Sequence, residues 1–486
     1  MPLRFLTAAA LLASLAPTVQ ARTVGKLAFT PCSLSAPMVP ATVQAQCTWL
    51  KVPENPAQPQ GRWISLKIAL VTPDPNAPVR ADPVFMLAGG PGQSALETYP
   101  QIAPAFAKVL KRRNVVLVDQ RGTGSSHPLQ CKDSLQGMQE DSPQAGAEYA
   151  KRCREQLEKN TDLRQYTTGR AIADLDAVRA AIGADKIDLV GVSYGTRVAQ
   201  QYAMHYPQHT RALVLDGVTP NTLVLGNEFA ANLEQALALQ FDQCVKTSSC
   251  IKALGNPNTQ LNALLERLRA NPVHVNWRDA ATGQARSSVL TATDVVGLVR
   301  MSAYMPLMSA TLPLQFAQAA QGRYDTLAAT AHMVGDSVAG SIALGMQLSV
   351  TCSEDADGLA ADPAQHHALL GNVMVEGLKA QCAVWPRGER AADFHTPLRG
   401  TVPTLLLSGQ FDPVTPPRYA EQVALHLSNA RSLVLRGQGH NVITVGCTPR
   451  LLDQFLETAD PKQLNATCLD TLAYVPAFTG FYGWDP

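Results

Sequence analysis

Gly191-Val192-Ser193-Tyr194-Gly195 is the one place where this chain sets a serine in Gly-x-Ser-x-Gly spacing. On a tight strand-to-helix turn that spacing exposes a hydroxyl, because only small residues fit on either side of it. A serine hydroxyl is a weak nucleophile and needs a base, itself oriented by a third group. Two later segments supply them, each just past an apolar run. Asp412 lies in Ser408-Gly409-Gln410-Phe411-Asp412-Pro413, and His440 lies in Gly437-Gln438-Gly439-His440-Asn441. The order serine, acid, histidine is one that known hydrolase triads use. Of the ten histidines, His440 alone sits on a glycine-flanked loop directly after a late apolar run. The chemistry implied is acyl transfer to water through an acyl-serine, with no metal or organic cofactor.

Such a reaction needs donors for the developing oxyanion. The loop Gly89-Gly90-Pro91-Gly92 follows the run Pro83–Ala88. We expect one N–H from Gly90 and a second from Tyr194, at the start of the helix after the serine.

The elements that must position these groups follow a pattern. Apolar runs at 83–88, 114–119, 186–192, 211–216, 402–407 and 431–436 read as strands buried on both faces. Helical periodicity lies between them, as at 171–182. That alternation predicts a mostly parallel, doubly wound α/β sheet. Between 222 and 399 it gives way to helical patterns at 227–245, 261–270, 292–303, 314–320 and 363–378, the last with Asp362 as cap and Pro363 at its first position. The expected organisation is a core of 22–221 and 400–486, carrying Asp412 and His440 in its second part, with a helical cap at 222–399 inserted after the sixth strand. Together with the serine turn, this is the α/β-hydrolase fold.

Several motifs carry a closer resemblance. Gly89-Gly90-Pro91-Gly92, Asp119-Gln120-Arg121-Gly122-Thr123-Gly124-Ser125, the Ser193 pentapeptide and Asp412-Pro413-Val414-Thr415-Pro416 resemble the prolyl aminopeptidase branch of the α/β-hydrolases. Within it the chain is most similar to secreted proteins of the tripeptidyl-aminopeptidase type, and Cys47–Pro53 and the part from about Thr351 onward fit that subgroup. The resemblance implies release of short units from peptide N-termini. One departure is Ala88, where prolyl aminopeptidases usually carry a histidine; strict proline specificity is not implied. Val350-Thr351-Cys352-Ser353-Glu354-Asp355 resembles the subgroup's acidic, cysteine-containing motif. It suggests Glu354 as the partner of the substrate's ammonium, with Asp355 behind it. Esterase or lipase chemistry on the same triad, and a non-catalytic binding protein on the same scaffold, are the competing readings. An epoxide hydrolase or dehalogenase would have an aspartate at position 193.

Composition and the N-terminus bound the setting. A net charge of +1, from 40 basic and 39 acidic residues, offers no argument for nucleic acid or an anionic membrane as partner. The expected partner is a peptide or small-molecule substrate; the oligomeric state stays open. Residues 1–21 combine Arg4, a short apolar run and Val19-Gln20-Ala21, the pattern of a cleaved signal peptide, and no later run reaches spanning length. Export to a periplasm or the medium, without stable membrane insertion, is the expectation. The ten cysteines fall into successive local couples. The pairing expected is Cys32–Cys47, Cys131–Cys153, Cys244–Cys250, Cys352–Cys382 and Cys447–Cys468, although spacing leaves other connectivities open.

Overall fold

A computed structural model of the chain describes residues 22–36, 39–73, 77–131, 142–279, 281–339, 341–480 and 482–484. The expected signal peptide, residues 1–21, lies outside them. The chain opens with β1 (Arg22–Val24), β2 (Leu27–Ala36), β3 (Val39–Pro53) and β4 (Trp63–Val71). There follow β5 (Val84–Leu87), α1 (Ala95–Ile102), β6 (Val115–Val118), α2 (Pro143–Leu157) and α3 (Thr168–Ile182). Next come β7 (Ile187–Val192), α4 (Tyr194–His205) and β8 (Thr210–Asp216).

The interval after β8 holds α5 (Phe229–Lys246), α6 (Ser248–Leu254), α7 (Pro257–Ala270), the hairpin β9 (Val273–Arg278) and β10 (Ala285–Leu290), then α8 (Ala292–Ser302) and α9 (Pro306–Ala320). It continues with α10 (Asp325–Ala339), α11 (Leu344–Glu354) and α12 (Val373–Val384). The chain closes with β11 (Thr404–Gly409), α13 (Pro417–Ala424), β12 (Ala430–Leu435) and α14 (Thr448–Thr458).

Ten strands make one sheet in the order β1-β2-β3-β4-β6-β5-β7-β8-β11-β12. The six from β6 to β12 pair in parallel, and the four N-terminal strands add on antiparallel. Every residue of β5, β6, β7 and β11 is buried, which accounts for their continuous apolar runs. Alternation along each strand divides the interior in two. Phe85, Leu87, Leu213 and Leu215 join the core on one face, while Val84, Met86, Ala212 and Val214 join the core on the other. The inserted helices carry a core of their own around Leu237, Phe241, Leu264, Leu298 and Phe316.

Three local expectations are revised. The insertion is mainly helical but contains the β9–β10 hairpin. The helix expected at 363–378 is a short 3-10 turn at Pro363–Gln365, with α12 starting only at Val373. Asp362 does cap that turn, accepting from Ala364 N at 2.9 Å. Gly371, at φ +51°, then breaks the helical run, and reciprocal bonds between Asp362 and Asn372 close the loop. The insertion also follows the eighth strand in chain order rather than the sixth, because β1–β4 precede the parallel strands and β8 is the last strand before it. In the structure the cysteines are bonded 32–47, 131–153, 244–250, 352–382 and 447–468. Five disulfides fit an oxidising, extracytoplasmic setting. Among the described residues no helix is long and apolar enough to cross a membrane.

Candidate active site

Register aligns the carboxyl ends of the central strands. Leu87 lies opposite Gly191, Val192 and Leu407 opposite Asp216, and Gly409 opposite Leu435. The loops carrying Gly90, Ser193, Asp412 and His440 therefore leave the sheet at one rim, where parallel α/β sheets place their ligands.

Ser193 follows β7 and precedes α4, with φ 55° and ψ −123°. That region is strained for a residue with a Cβ and persists where its surroundings over-determine it. Its N–H donates to Asp216 O at 2.8 Å, and its carbonyl accepts from Thr196 N at 2.9 Å and Thr196 Oγ1 at 2.6 Å. The flanking glycines are obligatory here. A Cβ on Gly191 would meet the Gly195 carbonyl oxygen at 2.4 Å, and one on Gly195 the Leu87 carbonyl oxygen at 2.3 Å.

His440 Nδ1 lies 2.7 Å from Asp412 Oδ2 and 3.1 Å from Thr415 Oγ1. Asp412 also accepts from Val414 N (2.9 Å), Thr415 N (2.8 Å) and Thr415 Oγ1 (2.8 Å), so the Asp-Pro turn it initiates also fixes its own carboxylate. Burial pushes this carboxyl up, but His440 and the donated bonds outweigh it and hold the pKa below the usual range. For His440, burial favours the neutral ring, yet Asp412 prevails and the pKa is raised. The ring packs edge-on against Tyr304, with centroids 5.2 Å apart, and His440 N donates to Tyr304 O at 2.9 Å.

Ser193 and His440 open together on a cavity of about 450 Å³, walled by the insertion. Gly90 and Gln93 line its floor, with Arg300, Tyr304, Gln347 and Gln381 among the side chains above. Gly90 has φ +108°, and Tyr194 is the first residue of α4, where helix N–H groups lack intrahelical acceptors.

Glu354 and Asp355 occupy a different place from the one expected. Neither lines the cavity, and both are fully buried. Glu354 accepts from Thr168 N at 2.6 Å and Thr168 Oγ1 at 2.8 Å, and the same hydroxyl bonds the Tyr194 hydroxyl at 2.6 Å. Burial, above all, lifts its pKa to about 8. Asp355 is paired with Arg197 at 3.0 Å. Both acids are taken up by interior partners away from the cavity lining, and Glu354 is linked through the Thr168 hydroxyl to Tyr194, the residue that follows Ser193.

Several residues that shape the site escape notice in the sequence. Asp216, at the end of β8, accepts from Val442 N and Ile443 N, each at 2.9 Å, just beyond His440. Burial raises its pKa to about 6. An acid closing an apolar run was the available signal, and Asp119 shares it. Asp119 Oδ1 accepts from Ser94 Oγ (2.6 Å) and Leu96 N (3.2 Å), and Oδ2 from Ser125 N (3.0 Å), so it ties the Gly90 loop to the loop after β6. Tyr304 and Arg300, from the insertion, had no local signal.

Among the described residues no cluster of metal-ligating side chains occurs. A family model described as alpha/beta hydrolase fold matches residues 82–446. The chain is 29% identical to the serine protease Hip1 of Mycobacterium tuberculosis over 488 residues, covering 90% of each chain. It is 23% identical to a tripeptidyl aminopeptidase of Streptomyces lividans over 466 residues, covering 87% of this chain and 83% of that one. The crystal structure of a proline iminopeptidase from Mycobacterium smegmatis matches with a TM-score of 0.41 at 16% identity, over 85% of this chain and 99% of that chain. With three quarters of its length inside the matched region, the chain belongs to the alpha/beta hydrolase fold family.

Proposed function

We propose that the protein is an exported serine aminopeptidase that releases short N-terminal units from peptides, with Ser193, His440 and Asp412 as its triad. The observation that carries this reading is the convergence of a strained, cavity-facing Ser193 and an Asp412-paired His440 on one enclosed space. Ser193 Oγ attacks the scissile carbonyl while His440 Nε2 takes its proton. Asp412 holds the ring in the tautomer that leaves Nε2 free and stabilises the imidazolium. The N–H groups of Tyr194 and Gly90 receive the oxyanion. As the tetrahedral centre collapses, the leaving amine takes the proton from His440. Water, activated by the same base, then releases the acyl group from Ser193. Residues 222–399 act as the cap that walls the site, and 1–21 as a signal peptide removed on export.

Support for peptide substrates comes from the relatives, one named a serine protease and one a tripeptidyl aminopeptidase, each similar over most of its length. With Glu354 and Asp355 engaged elsewhere, neutral acceptors are what the lining offers a substrate ammonium, among them the side-chain carbonyls of Gln93, Gln347, Gln381 and Asn441. A second reading, esterase chemistry on the same triad, is favoured by one observation. No carboxylate lines the cavity among the described residues. Free and N-acetylated mono-, di- and tripeptidyl arylamides, assayed beside p-nitrophenyl esters, separate the two. The aminopeptidase reading expects free-amine arylamides to be cleaved at least about ten-fold faster than their acetylated counterparts, the discrimination of a lost charged hydrogen bond. Turnover of the esters alone would establish the second reading.

A further inference from the structure

Arginines buried in this protein have carboxylate partners. Arg113 meets Asp82 and Glu457, Arg121 meets Asp174, Arg197 meets Asp355, and the half-buried Arg211 meets Asp188. Arg300 differs. It sits in the last turn of α8 and lines the cavity above Ser193 and His440, yet no carboxylate lies within 4.0 Å of it among the described residues. Its place near a helix C-terminus suits a cation but does not account for a guanidinium facing the cavity. The guanidinium carbon lies 5.9 Å from the Phe229 ring, and its charge is near enough to the Tyr304 phenol to offset part of the rise that burial gives that group's pKa. Tyr304 in turn packs edge-on against His440. Arg300 is thus held one aromatic ring away from the base. Burial raises the Tyr304 pKa, so its hydroxyl stays protonated and able to donate beside the guanidinium.

We propose that Arg300, with the Tyr304 hydroxyl, receives a carboxylate of the substrate. The guanidinium presents paired N–H donors that match a carboxylate, and within a partly closed cavity the pairing strengthens. The proposal rests on the peptidase reading for the identity of the substrate. Two sources of carboxylate share this chemistry: an acidic side chain in the released unit, and the free C-terminus of a short peptide.

Matched pairs test it. Tripeptidyl arylamides carry Glu or Gln at each position in turn, and short peptides carry a free or an amidated C-terminus. Each pair is assayed for kcat/KM with wild type, Arg300→Met and Arg300→Lys. Wild type should prefer the charged member of one set by about 10- to 100-fold, the range of a hydrogen bond to a charged group. Arg300→Met should bring that ratio close to one, and Arg300→Lys should recover part of it. A preference confined to Glu over Gln identifies the side chain, and one confined to free over amidated peptides identifies the terminus. A third pair, p-nitrophenyl hydrogen succinate against p-nitrophenyl butyrate, needs no peptidase activity. If no peptide is turned over, the peptidase reading fails, and this pair alone decides the role of Arg300. The proposal is overturned if wild type shows no preference in any pair, or if Arg300→Met leaves the preference intact.

Discussion

The carboxylate of Asp216 accepts the N–H of Val442 at 2.9 Å from each of its oxygens, and through that contact β8 holds the loop that carries His440. The same residue's carbonyl accepts the N–H of Ser193 at 2.8 Å. Nucleophile and base are therefore referenced to one buried residue between them. Substituting Asp216→Asn keeps the shape but turns an amide N–H₂ towards backbone donors. We expect kcat to fall about 10- to 100-fold, the cost of a misplaced catalytic group, with KM changing far less. Steady-state kinetics on the best arylamide checks this. Equal changes in kcat and KM would instead mark Asp216 as a general support of the cavity.

Protonation of His440 removes the base. Because Asp412 raises its pKa above that of a free imidazole, kcat/KM should fall with decreasing pH through a value above about 6.5. Asp412→Asn should move that acid limb downwards and lower kcat by about 10³- to 10⁴-fold. A pH profile whose acid limb does not move in the variant would contradict the pairing.

Glu354 is expected to make stability fall with rising pH between the ordinary carboxyl pKa and about 8. Its folded pKa of about 8 lies above the ordinary carboxyl value, so the folded state favours the protonated form. The associated stability is complete below the unfolded pKa and is lost as pH rises through about 8. Each unit of that elevation corresponds to about 1.4 kcal/mol. Glu354→Gln cannot ionise, so it should lose less stability than wild type between pH 5 and pH 9 in thermal or denaturant unfolding. Parallel curves for the two proteins would show that the buried carboxyl does not titrate in this window.

The bond between Cys352 and Cys382 joins α11 to α12, both of which wall the cavity. Replacing both cysteines by serine should lower stability by about 2–4 kcal/mol and raise KM more than it lowers kcat. Denaturant unfolding together with kinetics at a temperature where both forms are folded checks the two effects separately.

The parts of this fold that were legible in the sequence are those where one physical demand dominates. Strands buried on both faces must be apolar throughout, so β5, β6, β7, β8 and β11 are legible as runs; β12 is legible too, but it lies at the sheet edge with Val434 exposed and is not buried on both faces as its run suggests. The Ser193 turn was legible because Gly191 and Gly195 have no room for a side chain. β2 leaves no such mark, since it alternates buried and exposed positions and carries no continuous run. The break at Gly371 was hidden by helical periodicity on both sides of it, where one left-handed residue decides the outcome. The buried position of Glu354 is illegible for a different reason. An acid in a motif gives no direction to its side chain, and only the fold brings Thr168 to it across 186 residues of sequence. Arg300 and Tyr304 reach the cavity through the packing of the insertion, which no local pattern encodes.

Everything proposed for this site depends on Ser193 being a nucleophile activated by His440 and Asp412. Reaction with a fluorophosphonate followed by intact-mass and peptide mapping tests it most directly. A single adduct on Ser193 is expected in the wild type, none in Ser193→Ala, and labelling slowed by orders of magnitude in His440→Ala. An unlabelled wild type, or an adduct that persists in Ser193→Ala, would contradict it.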